Sequence, residues 1–173
     1  MTATIERITR TSPEIIRAII ELHEQYYCRQ LGWPTLFAQE VSGYLDGFSA
    51  QLQSEGNGLW IVKADETVAG AIAVDCRGQE FGTARLRLFI VAPSLHHNGL
   101  GRRLLHRAVA FCRSASYEKI LLWTFADLKA AKALYLRNNF EMRDEREVLY
   151  WGCPLREQCL QLDLHRERAQ TRR

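Results

Sequence analysis

The residues with the clearest chemical promise are Gly99 and Gly101, preceded by His96, His97 and Asn98 and followed by Leu104 after Arg102 and Arg103. Two glycines at a helix start leave backbone N–H groups free where the helix dipole is positive, so the spacing makes an anion site. With no Cβ in the way, a phosphate can approach the main chain. Asn98 tolerates left-handed geometry, which lets successive amides turn toward one centre. What is missing narrows the ligand. A P-loop needs Lys then Ser or Thr where Arg102 and Arg103 stand, and a dinucleotide fingerprint needs a third glycine where Leu104 stands. A pyrophosphate held by amides behind a splayed strand edge is the remaining common design. His96 and His97 diverge as neighbours, and Cys153, Cys159 and His165 are irregularly spaced, so no metal is expected. His23 sits on an apolar helical stripe and can titrate near neutrality, which makes it the candidate proton carrier.

The elements that must hold these residues are legible from period and punctuation. A short strand is expected over 3–9, then a helix opened by Ser12, Pro13 and Glu14 and carrying Ile15, Ile16, Ile19, Ile20 and His23 as far as Tyr27. A second helix over 35–53 has Phe37, Val41, Tyr44 and Phe48 on one face. The period then changes to strand: 59–64 and 68–75 form a hairpin, and 84–91 sets Leu86, Leu88 and Ile90 against Arg85, Arg87, Phe89 and Val91. A helix from the glycines to about 116, an apolar strand over 119–125, a helix over 127–138 and strands over 143–150 and 158–164 follow. Strand, helix, strand implies a parallel crossover, in an α/β or α+β layout.

At 173 residues the chain is expected to form a single domain, 1–173, with a basic tail over 165–173. Its 47% apolar and 25% charged composition excludes disorder, collagen-like repeats and coiled coil. Five scattered cysteines fit a reducing compartment, and the longest uncharged apolar run, 120–126, is too short to cross a bilayer, so the cytoplasm is the expected location. A net charge of +3 favours a small anionic ligand and no nucleic acid or membrane partner.

Gly99-Leu100-Gly101 after a strand ending Ile90-Val91-Ala92-Pro93, with Ala133-Leu134-Tyr135 and Asn139-Phe140 beyond it, resembles the GNAT superfamily of acetyl-CoA-dependent N-acetyltransferases. The chain looks closest to the acetyltransferase domain fused to MarR-type regulators, in which segments similar to 23–33, Leu122-Trp123-Thr124, 131–140 and Trp151-Gly152 recur. The resemblance implies a mixed, mostly antiparallel sheet flanked by helices and splayed between the strands 84–91 and 119–125. It implies acetyl-CoA as cosubstrate, with no metal. The family signature opens on Gln or Arg where this chain has His96, so one side-chain contact to the pyrophosphate is altered while the amides of His97, Asn98, Gly99, Leu100, Gly101 and Arg102 remain.

By the same resemblance, the pantetheine arm pairs with the backbone of Phe89, Ile90 and Val91, and Ala131 on the later helix lets the cofactor approach closely. Tyr135 stands where the family keeps a tyrosine near the sulfur, able to protonate a departing thiolate. The first two helices wall the acceptor pocket, which points to Tyr27, Trp33 and Phe37, with His23, Glu21 and Glu24 as further candidates. The strand residue where many relatives carry a glutamate base is here Arg85 or Arg87. The implied reaction is direct transfer of acetyl to a small-molecule or peptide amine in a ternary complex, by a monomer or homodimer. The rival is a CoA-binding sensor or interaction module with little catalysis. An open channel lined by His23, Tyr27 and Trp33 favours the enzyme and a filled one the sensor.

Overall fold

Ser12 starts the first helix as its residue type dictates: its Oγ accepts the Ile15 N–H at 3.4 Å, and Pro13 opens the first turn. In the computed structural model, which describes residues 3–165, strand β1 (Ala3–Ile8) precedes this helix, α1 (Pro13–His23). The helical stripe continues to Tyr27 as expected, but the geometry changes. Glu24–Gln30 winds as a π-helix, the Leu31 N–H donating to the Tyr26 carbonyl at 3.1 Å. α2 (Leu36–Ser49) follows, ending in turns well short of residue 53.

β2 (Gly58–Ala64) and β3 (Thr67–Asp75) form the expected hairpin. Asp65 and Glu66 both take positive φ, 46° and 66°, the turn whose twist matches the flanking strands. After β4 (Thr83–Val91) come α3 (Leu100–Ser114), β5 (Lys119–Phe125) and α4 (Lys129–Arg137). Asn139 closes α4 with φ 64°, the left-handed position asparagine tolerates. β6 (Glu141–Tyr150) and β7 (Cys153–Asp163) are longer than their patterns suggested, because Trp151 and Gly152 make another two-residue turn at positive φ. The five cysteines are free thiols. Of the expected basic tail, all but His165 lies outside the described residues.

The strands form one seven-stranded sheet in the order β1-β2-β3-β4-β5-β7-β6, antiparallel except for β4 beside β5. That parallel pairing covers only Thr83, Ala84 and Arg85 against Lys119, Ile120 and Leu121, after which the strands separate. α3 buries Leu100, Leu104, Leu105 and Ala108 against Val62, Ile72, Leu86 and Ile120 on one face. On the other face, Ile19, Val41, Leu45 and Phe48 of α1 and α2 pack on Leu59, Ile61, Leu88 and Ile90.

One expectation about β4 is overturned. Leu86, Leu88 and Ile90 do not share a face: Leu86 joins the α3 side, while Leu88 and Ile90 join the α1–α2 side. The cause is a β-bulge. Ala71 pairs with Ile90 and Ala73 with Arg87, which puts one extra residue in β4, and Leu88 sits at φ 54°. One inserted residue reverses the facing of all that follow. Phe89 and Val91 therefore pack toward α3 and α4, and Arg87 and Leu88 both lie on the α2 side.

Candidate active site

At the end of β4 the chain makes a short 3-10 turn, Pro93–Leu95, and enters α3 through Gly99, whose φ of 72° is left-handed. No side chain caps this helix, so the amides of Leu100, Gly101 and Arg102 have no intrahelical partner and face outward from its start. His97 is the other left-handed residue, at φ 64°, and Asn98 does not share that conformation, contrary to its expected part. The His96 ring is committed elsewhere. Its Nε2 donates to the Val91 carbonyl at 2.9 Å, tying the turn to the end of β4 in place of a contact to an anion. Arg102 and Arg103 are both exposed.

Beyond Arg85 the β5 side of β4 is released from the ladder, so the backbone of Phe89, Ile90 and Val91 is held by β3 on one side only. α4 crosses this opening with Ala131 packed toward the core. Tyr135 is 6% exposed, its ring 5.9 Å from Phe89 and 5.8 Å from Phe140. Burial, with Tyr27 nearby, pushes its phenol well above the ordinary value, so it is a protonated donor throughout the working pH range.

Between the parted strands lies a cavity of about 400 Å³, bounded by His23, Tyr27, Trp33 and Phe37 from the first helices, by β4 and β5, and by Tyr135. The three expected acceptor residues are brought together: Tyr27 to Phe37 is 4.6 Å between ring centroids, Tyr27 to Trp33 4.9 Å and Trp33 to Phe37 5.2 Å. Trp151, from the β6–β7 turn, completes the wall 5.6 Å from Trp33 and donates its indole N–H to Glu40 at 2.8 Å. A cavity of about 450 Å³ at the other end of α3, bounded by Arg7, Leu52, Asn57 and Phe111, is remote from the glycine turn and has no part in this site.

His23 is present in the wall but does not titrate near neutrality. Burial pushes it down to about 4, and its Nδ1–H donates to the Ile19 carbonyl at 2.8 Å, leaving a neutral ring with Nε2 bare. The cavity also holds groups that local sequence patterns did not single out as chemical. Glu157 of β7 is 7% exposed and opposite Phe125 in the ladder; Arg146 Nε donates to it at 2.8 Å, and the Tyr150 hydroxyl lies 3.3 Å away. Arg85 and Arg87 stand on β4, and Arg87 lies over the Tyr44 ring, 4.1 Å from its centroid. A strand pattern of alternating arginines was visible, but not what it faced.

The Acetyltransferase (GNAT) family model matches residues 17–140, which include His23, Tyr27, Trp33 and Phe37 of the acceptor wall and the glycine turn. The chain belongs to the GNAT acetyltransferase family. An acetyltransferase of Streptococcus agalactiae superposes with a TM-score of 0.73 at 22% identity, covering 94% of this chain and 98% of that one. The yncA protein of Salmonella typhimurium, solved with its cofactor acetyl-CoA, gives 0.72 at 17% identity over 95% of each chain. At such identities these two likenesses show the shared fold. Among curated proteins, rat N-acetyltransferase 8B is 30% identical over 93 residues, 52% of this chain and 42% of that protein, so the match spans less than half of the relative.

The glycine turn, the open β4 edge and α4 lie to one side of the cavity and the aromatic wall to the other. The cavity beside His23, Tyr27 and Trp33 is not filled by side chains. Among the described residues no group of three His, Cys, Asp or Glu side chains could hold a metal ion, and no helix is long and apolar enough to cross a membrane.

Proposed function

We propose that this GNAT protein is an N-acetyltransferase that binds acetyl-CoA along the β4–β5 opening and passes the acetyl group directly to an amine held against the aromatic wall. The observation that carries this reading is the coincidence of three features in one place: the uncapped start of α3, the released edge of β4, and Tyr135 on the shared cavity. The residues fit the cosubstrate. The amides of His97 to Arg102 suit a pyrophosphate, and the edge at Phe89, Ile90 and Val91 suits an extended arm added like a strand. Ala131 leaves room for it. Acetyl-CoA, when bound, supplies an acetyl thioester.

As the amine nitrogen bonds to the acetyl carbon, the C–S bond breaks; the amine gives up a proton to solvent water and the departing sulfur takes one. Tyr135 donates that proton, and the phenol regains it from solvent after release. Burial keeps the phenol protonated, and so able to donate, across the working pH range. His23 Nε2 is a weak base at most, so its part is to orient the amine by accepting a hydrogen bond. Positioning supplies most of the rate, because two reactants held in one cavity no longer have to find each other.

The rest of the reading is a small-molecule or peptide amine as acceptor, one domain over 1–173, monomeric or homodimeric in the cytoplasm, with no metal, nucleic acid or membrane partner. The likeness to MarR-fused domains belongs to it and rests on the segments quoted above. The alternative, a CoA-binding sensor, loses ground to the open cavity. A thermal-shift titration with acetyl-CoA, CoA, ATP and NADH, followed by thiol release across a panel of amines, tests the proposal. A stabilising shift confined to the CoA compounds, with amine-dependent release, is expected; an equal shift with ATP overturns it.

A further inference from the structure

The charges on the cavity do not balance locally. Arg85 and Arg87 reach it from the same strand, two residues apart, on the face turned toward α2. The Nε of Arg85 is fully buried and has no hydrogen-bond partner, although a buried guanidinium N–H normally finds one. Burial, and Arg87 beside it, hold the Arg85 guanidinium below its ordinary pKa. Arg87 meets the face of the Tyr44 ring, a contact that leaves its in-plane donors available.

Each nearby carboxylate has a hydrogen-bonded partner of its own, and Glu157 acts on Arg85 through its charge with no hydrogen bond between them. Asp75 is held by Arg77, Nη2 to Oδ2 at 2.8 Å, and accepts the Tyr44 hydroxyl at 2.8 Å. Glu157 is held by Arg146 through both Nε and Nη2, at 2.8 and 2.7 Å. Glu40 lies at the exposed rim and accepts from Trp151. Two adjacent cations thus line a half-enclosed, aromatic-walled cavity, Arg85 with an Nε–H that no protein group satisfies, a pair able to receive a planar anion. They are on the opposite face of β4 from Phe89 and Val91, which pack toward α3 and α4 with the glycine turn, so the pyrophosphate does not answer them.

Building on the acetyltransferase reading, we infer that the acceptor is a small amine carrying a carboxylate, received by Arg85 and Arg87, with an apolar or aromatic body against Trp33, Phe37 and Trp151. This excludes polyamines, whose second cation would meet the arginines.

The test uses the whole protein with acetyl-CoA and matched acceptors: L-phenylalanine against phenethylamine and phenylalaninamide, 4-(aminomethyl)benzoate against benzylamine, and spermidine. Thiol release and product mass are read. In at least one matched set the carboxylate is expected to raise kcat/KM by about 100-fold or more, because a site built for charged hydrogen bonds rejects the analogue lacking them. R85Q and, should that variant not fold, R87Q are each expected to cut the ratio to below about 10. Turnover of neutral amines or spermidine at least equal to the carboxylates overturns the inference while leaving the acetyltransferase reading intact. If no amine is turned over, that reading fails instead, and the carboxylate site is judged by quenching of tryptophan fluorescence with N-acetylphenylalanine and its amide. Saturable quenching by the acid alone, lost in R85Q or R87Q, supports the inference; equal or absent quenching overturns it.

Discussion

The two halves of the cavity are built by different means. On the side proposed for the cofactor, the turn at Gly99, the released edge of β4 and the small residues of α4 offer main chain, and they come from nearby stretches of sequence. On the side proposed for the acceptor, the surface is made of side chains, and they arrive from α1, the π-helix, α2, β4 and the β6–β7 turn. A ligand bound through backbone asks for glycine and alanine at fixed offsets; one bound through side chains asks only that distant segments meet. The first half can be shared among proteins with different acceptors, while the second can change almost residue by residue.

The sharpest way to test that division is Tyr135, which touches both halves. Tyr135→Phe keeps the ring contacts with Phe89 and Phe140 and removes only the hydroxyl. Turnover is expected to fall by about 100-fold or more, the scale of a lost general acid, while the acetyl-CoA dissociation constant stays within about threefold. Steady-state kinetics beside calorimetric titration of acetyl-CoA decide it, and an equal loss of both makes Tyr135 a packing residue of the cofactor half.

His23 supplies the next largest effect, on stability and with a definite sign. In the folded chain burial holds it down to about 4, and in the unfolded chain it titrates near the ordinary imidazole value of 6.5. Between those values the unfolded state binds the extra proton, so stability rises with pH through that window and is lost as pH falls through it. A shift of this size is worth about 3 kcal/mol once both states are past their pKa values. Urea unfolding of the wild type from pH 7 to pH 4 should show that slope, and His23→Gln should flatten it. The pH profile of turnover between 6 and 8 should show no His23 titration; a step near 6.5 that vanishes in the variant would restore the proton carrier.

The same contrast decides what could be read before the fold was known. The glycine turn, the hairpin at Asp65 and Glu66, β5 and the order of elements all follow from local pattern, because each is dictated by residues within a few positions. The bulge at Leu88 does not: leucine carries no preference for positive φ, and the extra residue shows only in the pairing of Ala71 and Ala73 with Ile90 and Arg87. The π-helix at Glu24–Gln30 is equally silent, since Tyr26 and Tyr27 continue the apolar stripe whichever way the backbone winds. Glu157 and Trp151 gain their meaning from β7 lying beside β5, a pairing across more than thirty residues for Phe125 and Glu157. The type and position of His23 mark it as a candidate, but its protonation is not legible in sequence, because only burial distinguishes a titrating imidazole from a neutral one.

Two glycines separate binding from folding on the cofactor side. A Cβ on Gly101 would meet Leu134 Cδ2 and Phe89 Cζ at 3.6 Å, ordinary contact, whereas Gly99 sits at left-handed φ with open space around it. Gly101→Ala should keep stability within about 0.5 kcal/mol of wild type or raise it, since alanine suits a helix better, yet weaken acetyl-CoA binding. Gly99→Val should cost about 1–2 kcal/mol through the backbone alone, lowering Tm by roughly 2–8 °C. Thermal melts with and without acetyl-CoA distinguish them; a Gly101→Ala protein stabilised by acetyl-CoA as strongly as wild type would show that no anion approaches that amide.

The smallest effect belongs to the rim. Glu40 accepts the Trp151 indole N–H and so joins α2 to the β6–β7 turn across the acceptor wall, but it is exposed and its partner is uncharged. Glu40→Gln still offers an acceptor oxygen and removes the charge; Glu40→Ala removes both. A single exposed hydrogen bond contributes about 1 kcal/mol at most, so Glu40→Ala should change Tm by no more than about 4 °C. Because Trp151 packs on Trp33 and Phe37, loosening it should raise the acceptor KM several-fold while the KM for acetyl-CoA holds. Glu40→Gln should fall between Glu40→Ala and wild type. If both variants raise the two KM values together, the wall and the glycine turn behave as one unit, and the division between a backbone half and a side-chain half is wrong.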